Sequence, residues 1–171
     1  MHMRQATTAL LVIDVHSGSE YSSQASETIS NIRTLVKSFR SEERPVIFVK
    51  FPGDKIHPKL RPRKDEVVMD KSFASAFNNT PMRQILRDRK VQRLVVGGFF
   101  TQLCVLSTVL EGARTGYEIA VVRECCFPAG PGTFQGEDRK AFKRMDDAGV
   151  AVLSSCELPS FVKGHKTGLL P

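Results

Sequence analysis

Residues 93–117 read RLVVGGFFTQLCVLSTVLEGARTGY. The stretch leaves an apolar run rich in β-branched residues, passes two glycines and enters a segment of helical character. That segment stops at Gly116, a natural left-handed cap. A strand followed at once by a helix predicts an α/β architecture, and a single cysteine, Cys104, stands at the joint. A purely structural thiol would serve as well in mid-strand. One in the first turn of a helix sits where negative charge is favoured, which marks it for chemistry.

The same alternation extends in both directions. Apolar runs recur as ALLVID (9–14), PVIFVKF (45–51), EIAVV (118–122) and VAVLSS (150–155), with a shorter one, EVVMD (66–70), before Lys71. Their continuous apolar character, without strict alternation, predicts strands covered on both faces, as in a parallel sheet. Between them, SETISNIRTLVKSFR puts Ile29, Ile32, Leu35, Val36 and Phe39 on one helical face. TPMRQILRDR offers Thr80 as N-cap and Pro81 as first helical residue. EDRKAFKRMDDAGV places Ala141, Phe142 and Met145 on one stripe and stops at Gly149. The expected fold is a single domain over residues 1–171, a three-layer α/β/α sandwich with right-handed crossovers. FPGDKIHPKLRPRKDE (51–66) carries three prolines and no helical period, and reads as a long functional loop.

Composition narrows the function classes. The chain is 41% hydrophobic and 25% charged, ordinary for a soluble globular protein. No apolar run approaches the roughly 20 residues of a membrane span, and the N-terminal apolar run ending in Asp14 reads as a first strand, not a signal peptide. Cys104, Cys125, Cys126 and Cys156 show no CxxC pair, so they read as reduced thiols of a cytoplasmic protein. A net charge of +7 raises nucleic acid as a partner. Because the basic residues are dispersed and no aromatics interleave with them, the expectation is no nucleic acid and no membrane partner.

In open parallel sheets, ligands bind outside the carboxyl ends of strands. Asp14 follows ALLVI, Lys71 follows EVVMD and Cys104 follows RLVVGGFFTQL. Each alone has an ordinary explanation, as a cap, a solvated side chain or core filler. Together they are complementary as base, cation and nucleophile. A thiol with a pKa of about 8.5 is mostly protonated at neutral pH; an ammonium and a helix N-terminus should favour the thiolate, and a carboxylate can take and return the proton. Backbone N–H groups of the tight turn before the helix are suited to hold an oxyanion.

Through ALLVID, KSFASAF, GGFFTQLCVLSTVLEGARTGY and GVAVLSS, the chain resembles the isochorismatase-like cysteine hydrolases, which include nicotinamidase and N-carbamoylsarcosine amidase. The resemblance implies a six-stranded parallel sheet, Asp14 as proton acceptor, Lys71 as charged partner and Cys104 as nucleophile. It also implies a cis bond between Phe99 and Phe100 that turns the amides of Phe100 and Cys104 toward the oxyanion. Members acting on isochorismate lack the cysteine, so Cys104 favours hydrolysis of a small amide or related C–N bond through a thioester. Four positions depart from the family pattern: His16, Phe100, Gln102 and Glu124. The first three motivate a rival reading, a binding or scaffold protein on the same fold that has lost turnover.

Around the triad, His16, Phe73, Phe99 and Phe100 are the expected substrate-lining residues, while Phe77 reads at least equally as core. Vicinal Cys125 and Cys126 read as strand-end packing before they read as a redox switch. His2 and His165 carry no signal. Family likeness and the apolar VLSTVL helix point to a homo-oligomer. No cofactor is expected. The metal of nicotinamidases is held by an Asp and histidines on the loop after the second strand, where this chain has only Asp54 and His57. That is too few for a catalytic zinc site, which wants about three protein ligands.

Overall fold

Twelve segments organise the chain in a computed structural model, which describes residues 7–17, 25–129 and 137–164. In order they are β1 (Thr7–Ile13), α1 (Ser26–Ser41), β2 (Val46–Lys50), β3 (Val67–Asp70), α2 (Met82–Asp88), β4 (Val91–Phe99), a π-helical turn (Thr101–Val105), α3 (Leu106–Arg114), β5 (Glu118–Phe127), α4 (Glu137–Asp147), β6 (Ala151–Leu153) and α5 (Leu158–Val162). The strands form one six-stranded sheet in the order β3-β2-β1-β4-β5-β6, every neighbouring pair parallel. His2 and His165 lie outside the described residues.

Strand periodicity makes the layers. Ala9, Leu11 and Ile13 of β1 point into one core with Met82 and Leu86 of α2, Leu106 and Val109 of α3, and Ala141 and Met145 of α4. Leu10 and Val12 point the other way, onto Ile29, Ile32, Leu35, Val36 and Phe39 of α1 and onto α5. All five residues assigned to the inner face of α1 are buried. Continuous apolar runs are thus what a strand needs when both of its faces are covered.

Several boundaries differ from the sequence reading, each for a physical reason. β5 continues five residues past EIAVV; exposed Arg123 and Glu124 interrupt the apolar pattern, and the pairing with β4 shifts register between Val96 and Gly98. Cys125 and Cys126 therefore fall in one strand and face opposite cores. Both pack into those cores, and burial pushes the Cys125 thiol up to about 12 and raises Cys126 as well. β6 keeps only three residues, because the chain turns after Leu153, where the Glu157 carboxylate accepts from the Ser154 amide and hydroxyl. Helix α5 is too short to show a helical period. Helix α2 starts at Met82, one residue later than expected, with Pro81 as its cap and the Thr80 hydroxyl accepting from the Met82 amide.

β1→β2→β3 walks one way along the sheet and β4→β5→β6 the other. The reversal lies between β1 and β4, so a crevice is expected at their carboxyl ends. The long loop 51–66 turns back across it. Its amide at His57 donates to the Val15 carbonyl, the Ser17 amide donates to Lys55, and His16 and Ile56 form an antiparallel bridge. Arg40 of α1 pins the far end of this loop, donating to both carboxylate oxygens of Glu66 at 2.7 Å and to the Leu60 and Arg61 carbonyls. Among the described residues, no helix is long and apolar enough to cross a membrane.

Candidate active site

Asp14 leaves the end of β1 at the reversal point. Its amide donates to Val49 of β2, and its φ of 52° lies in the left-handed region that non-glycine residues seldom adopt. Such backbone is held only where its surroundings over-determine it, and it concentrates at functional sites. Lys71 leaves the end of β3, anchored by its amide to Lys50, with 1% of its surface exposed. Cys104 lies within the π-helical turn, half-buried. A π-helical turn before an α-helix is a recurrent feature of functional sites.

The three side chains meet. Lys71 Nζ lies 2.8 Å from Asp14 Oδ2, and it donates to the Cys104 sulfur at 3.4 Å and to the Phe73 carbonyl at 3.1 Å. Neither Asp14 oxygen receives a well-aligned hydrogen bond from the described residues, so the contact with Lys71 is an ion pair of good distance and poor angle. The buried carboxylate keeps acceptor capacity for a group that arrives later.

Proton affinities correct one expectation. Burial, reinforced by the Asp14 charge, pushes the Cys104 thiol up to about 11, and the opposing pull of Lys71 is smaller. Burial and Asp14 thus favour the protonated thiol over a standing thiolate. Burial also raises the Asp14 carboxyl above its ordinary 3.8, against the lowering influence of Lys71 and then of Cys104. Folding thus makes Asp14 hold its proton more tightly. Its contribution to stability is full below the unfolded value of 3.8 and is lost as pH rises through the raised one.

Two expected results follow. Iodoacetamide at pH 7 should label exposed Cys156 before Cys104, and Cys104 labelling should accelerate from pH 9 to about 11. Fastest labelling of Cys104 at neutral pH would contradict a protonated resting thiol. The second concerns stability. Asp14→Asn or Lys71→Met leaves one buried charge unpaired, so each should cost about 3 kcal/mol in chemical denaturation. The double variant should recover about half of the summed loss or more; strictly additive losses would mean the two charges are uncoupled.

The expected substrate-lining residues separate. Phe73 is 48% exposed beside Lys71, and its carbonyl holds the ammonium. The Phe99–Phe100 bond is cis. Phe100 is half-buried in an aromatic cluster with Phe99 and Phe127, at centroid distances of 5.8 and 6.4 Å. Phe99, at 1% exposure, is a core residue packed with the α1 layer, so its expected substrate contact gives way to support of Phe100. His16 is half-buried at the rim, its Nδ1 3.5 Å from the Ser17 carbonyl. Phe77 is core, stacked on Tyr117.

Three contributions carry no sequence signal. The ring of Phe51 lies 3.6 Å from Lys71 Nζ. Buried Thr108 of α3 accepts from the Ala76 amide, tying the segment after Lys71 to the helix that follows Cys104. Gln102 exchanges two hydrogen bonds with the backbone of Ala129, bracing the end of β5 against the π-helical turn. A departure from the family pattern thus has a structural task here. Glu124 likewise accepts from the Ser155 amide, while its carbonyl accepts from Asn31 of α1.

For the metal of nicotinamidases, the donor set does not fit. The loop does bring His16 beside Ile56, yet among the described residues no three His, Cys, Asp or Glu side chains come together, and His57 Nδ1 accepts from the Lys59 amide. A groove of about 350 Å³ between α1 and α5, lined by Leu35, Phe39, Val122, Leu158 and Val162, shares no residue with the triad.

Comparison with known proteins gives the family and the fold. The isochorismatase domain model matches residues 8–157. A Bacillus subtilis (strain 168) protein, described as the uncharacterized isochorismatase family protein YddQ, is 30% identical over 152 residues, which is 78% of this chain and 83% of that protein. The ureidoacrylate amidohydrolase RutB of Klebsiella pneumoniae is 37% identical over 73 residues, 43% of this chain and 31% of RutB. Among solved structures, an isochorismatase family protein from Desulfovibrio vulgaris superposes with a TM-score of 0.82 at 23% identity, covering 92% of this chain and 98% of that one.

Proposed function

The chain belongs to the isochorismatase family, and on that premise we propose that it is a cysteine-dependent hydrolase of a small amide or related C–N bond. The observation that carries this reading is the convergence of Asp14, Lys71 and Cys104 from the ends of three strands, with one ammonium touching both partners. RutB, similar to 43% of the chain, is an amidohydrolase by name, which favours the C–N bond.

The protonation pattern supports one order of events. With the thiol near 11, Asp14 takes the S–H proton as sulfur attacks the carbonyl carbon, so charge separation is brief. The amides of Phe100 and Cys104 hold the resulting oxyanion. Collapse breaks the C–N bond, the proton on Asp14 passes to the leaving nitrogen, and a thioester on Cys104 remains. Water, deprotonated by Asp14, attacks the thioester and frees the acid and the thiol. Lys71 offsets the negative charge that passes between carboxylate and sulfur, and it leaves the cycle unchanged. No cofactor and no metal take part in these steps.

Ammonia or amine release from a panel of small amides, ureido acids and carbamoyl compounds tests the proposal. Turnover of at least one member, unaffected by exhaustive chelation, is expected. Complete inactivity across the panel would favour the scaffold reading, and activity restored only by added zinc, iron or manganese would move the mechanism to a metal. Self-association belongs to the same proposal, although Leu106, Val109 and Gly112 of α3 are already buried within the chain and offer no interface.

A further inference from the structure

We propose that Phe51 is a positioning residue whose ring face seats the Lys71 ammonium and aims it between Asp14 and Cys104. The proposal rests on the hydrolase reading of the site.

Register brings the two residues together. Lys50 of β2 pairs with Asp70 of β3, so the next residues, Phe51 and Lys71, leave the sheet side by side, and the Lys71 amide donates to the Lys50 carbonyl. The Lys50 and Asp70 side chains pair with each other as a partly exposed ion pair. Phe51 instead presents its ring at 3.6 Å from Nζ.

The ammonium donates to the Phe73 carbonyl and the Cys104 sulfur and forms an ion pair with Asp14 Oδ2. With 1% exposure, Lys71 has no room for a solvent shell on its remaining side. A polar acceptor there would compete with Asp14, Phe73 and Cys104 for the ammonium. A plain alkyl group would leave the cation against a surface with no field. An aromatic face stabilises a cation through its quadrupole and takes no hydrogen bond that the chemistry needs. Phe51 is also held from behind, because its carbonyl accepts from the Asp54 amide and from Lys50 Nζ. The backbone that carries the ring is therefore fixed at the end of β2.

The test compares Phe51→Leu, which keeps apolar bulk and loses the ring, with Phe51→Tyr, which keeps the ring. In protein with ¹³C-labelled lysine, the Lys71 side-chain signals, assigned by their loss in Lys71→Met, should be shifted upfield by the ring in the parent and in Phe51→Tyr. In Phe51→Leu they should return to the range of the other lysines. On an amide that the parent hydrolyses, Phe51→Leu should lower kcat about tenfold with KM changed less than twofold, and Phe51→Tyr should stay within about twofold of the parent. An unshifted Lys71 signal in the parent overturns the proposal even if Phe51→Leu fails to fold, and so does a parent-like kcat in a folded Phe51→Leu. A parent that hydrolyses nothing defeats the hydrolase reading, while the spectra still decide whether Phe51 seats the ammonium.

Discussion

Cys104→Ala should lower turnover of any amide the parent hydrolyses by about three orders of magnitude or more, with the fold retained. Removing a nucleophile abolishes the covalent route and leaves only binding and oxyanion stabilisation, a loss of about 10³ to 10⁶ in comparable enzymes. The cost to the fold is small, because Cys104 is half-buried at a site edge and its sulfur accepts a long hydrogen bond from Lys71. Lys71 keeps Asp14, the Phe73 carbonyl and the Phe51 ring in the variant, so no buried charge is orphaned. Two measurements together decide the matter. Rapid acid quench and mass spectrometry should find an acyl adduct on Cys104 of the parent and none in the variant, and steady-state ammonia release should fall as stated. Parent-like turnover in Cys104→Ala would remove the nucleophile role altogether.

Gly98→Ala is the second large effect, and it acts through the backbone. Gly98 has φ of +139°, and a Cβ there would meet the Ile13 carbonyl oxygen at 2.0 Å and the Ile13 nitrogen at 2.7 Å. Those atoms belong to the neighbouring central strand, whose Ile13 pairs with Gly98, so no rotamer change relieves the clash. Either β1 and β4 separate where the two halves of the sheet meet, or Ile13 shifts and carries Asp14 with it. The expected cost is about 4 kcal/mol or more in denaturant, or loss of soluble protein. Gly53→Ala is the contrasting case: its φ is +86° but nothing lies within 4 Å, so about 1 kcal/mol is expected from strain alone. If Gly98→Ala proves as stable as Gly53→Ala, close approach at the β1–β4 seam is not what requires the glycine.

The proton inventory alters how the site should be approached. A resting thiol near 11 beside a raised carboxyl means that activation waits for substrate, because the acceptor is present but the charge is not yet separated. Inhibitors that rely on a standing thiolate should be slow here, and carbonyl electrophiles that accept the sulfur while Asp14 takes its proton should be better.

How much of this was legible beforehand depends on whether a feature is written locally. ALLVID, PVIFVKF and RLVVGGFF are continuous apolar runs because their strands are covered on both faces, and the α1 stripe from Ile29 to Phe39 repeats at helical spacing because one side is buried. Each strand carries that record in its own residues, so the layering and the strand-end placement of Asp14, Lys71 and Cys104 could be read from the chain. Exposed Arg123 and Glu124 hid the second half of β5, and five residues were too few to declare α5, since periodicity needs length. What only the tertiary structure decided is everything set by the distance between segments remote in the chain. That includes the seat of Lys71 on Phe51, the Thr108 tie to Ala76, the Gln102 brace on Ala129 and the removal of Phe99 into the core. It includes the protonation of Cys104 as well. The sequence places a cation near the thiol, but burial and the charge of Asp14 outweigh it, and desolvation exists only once the chain has closed around the group.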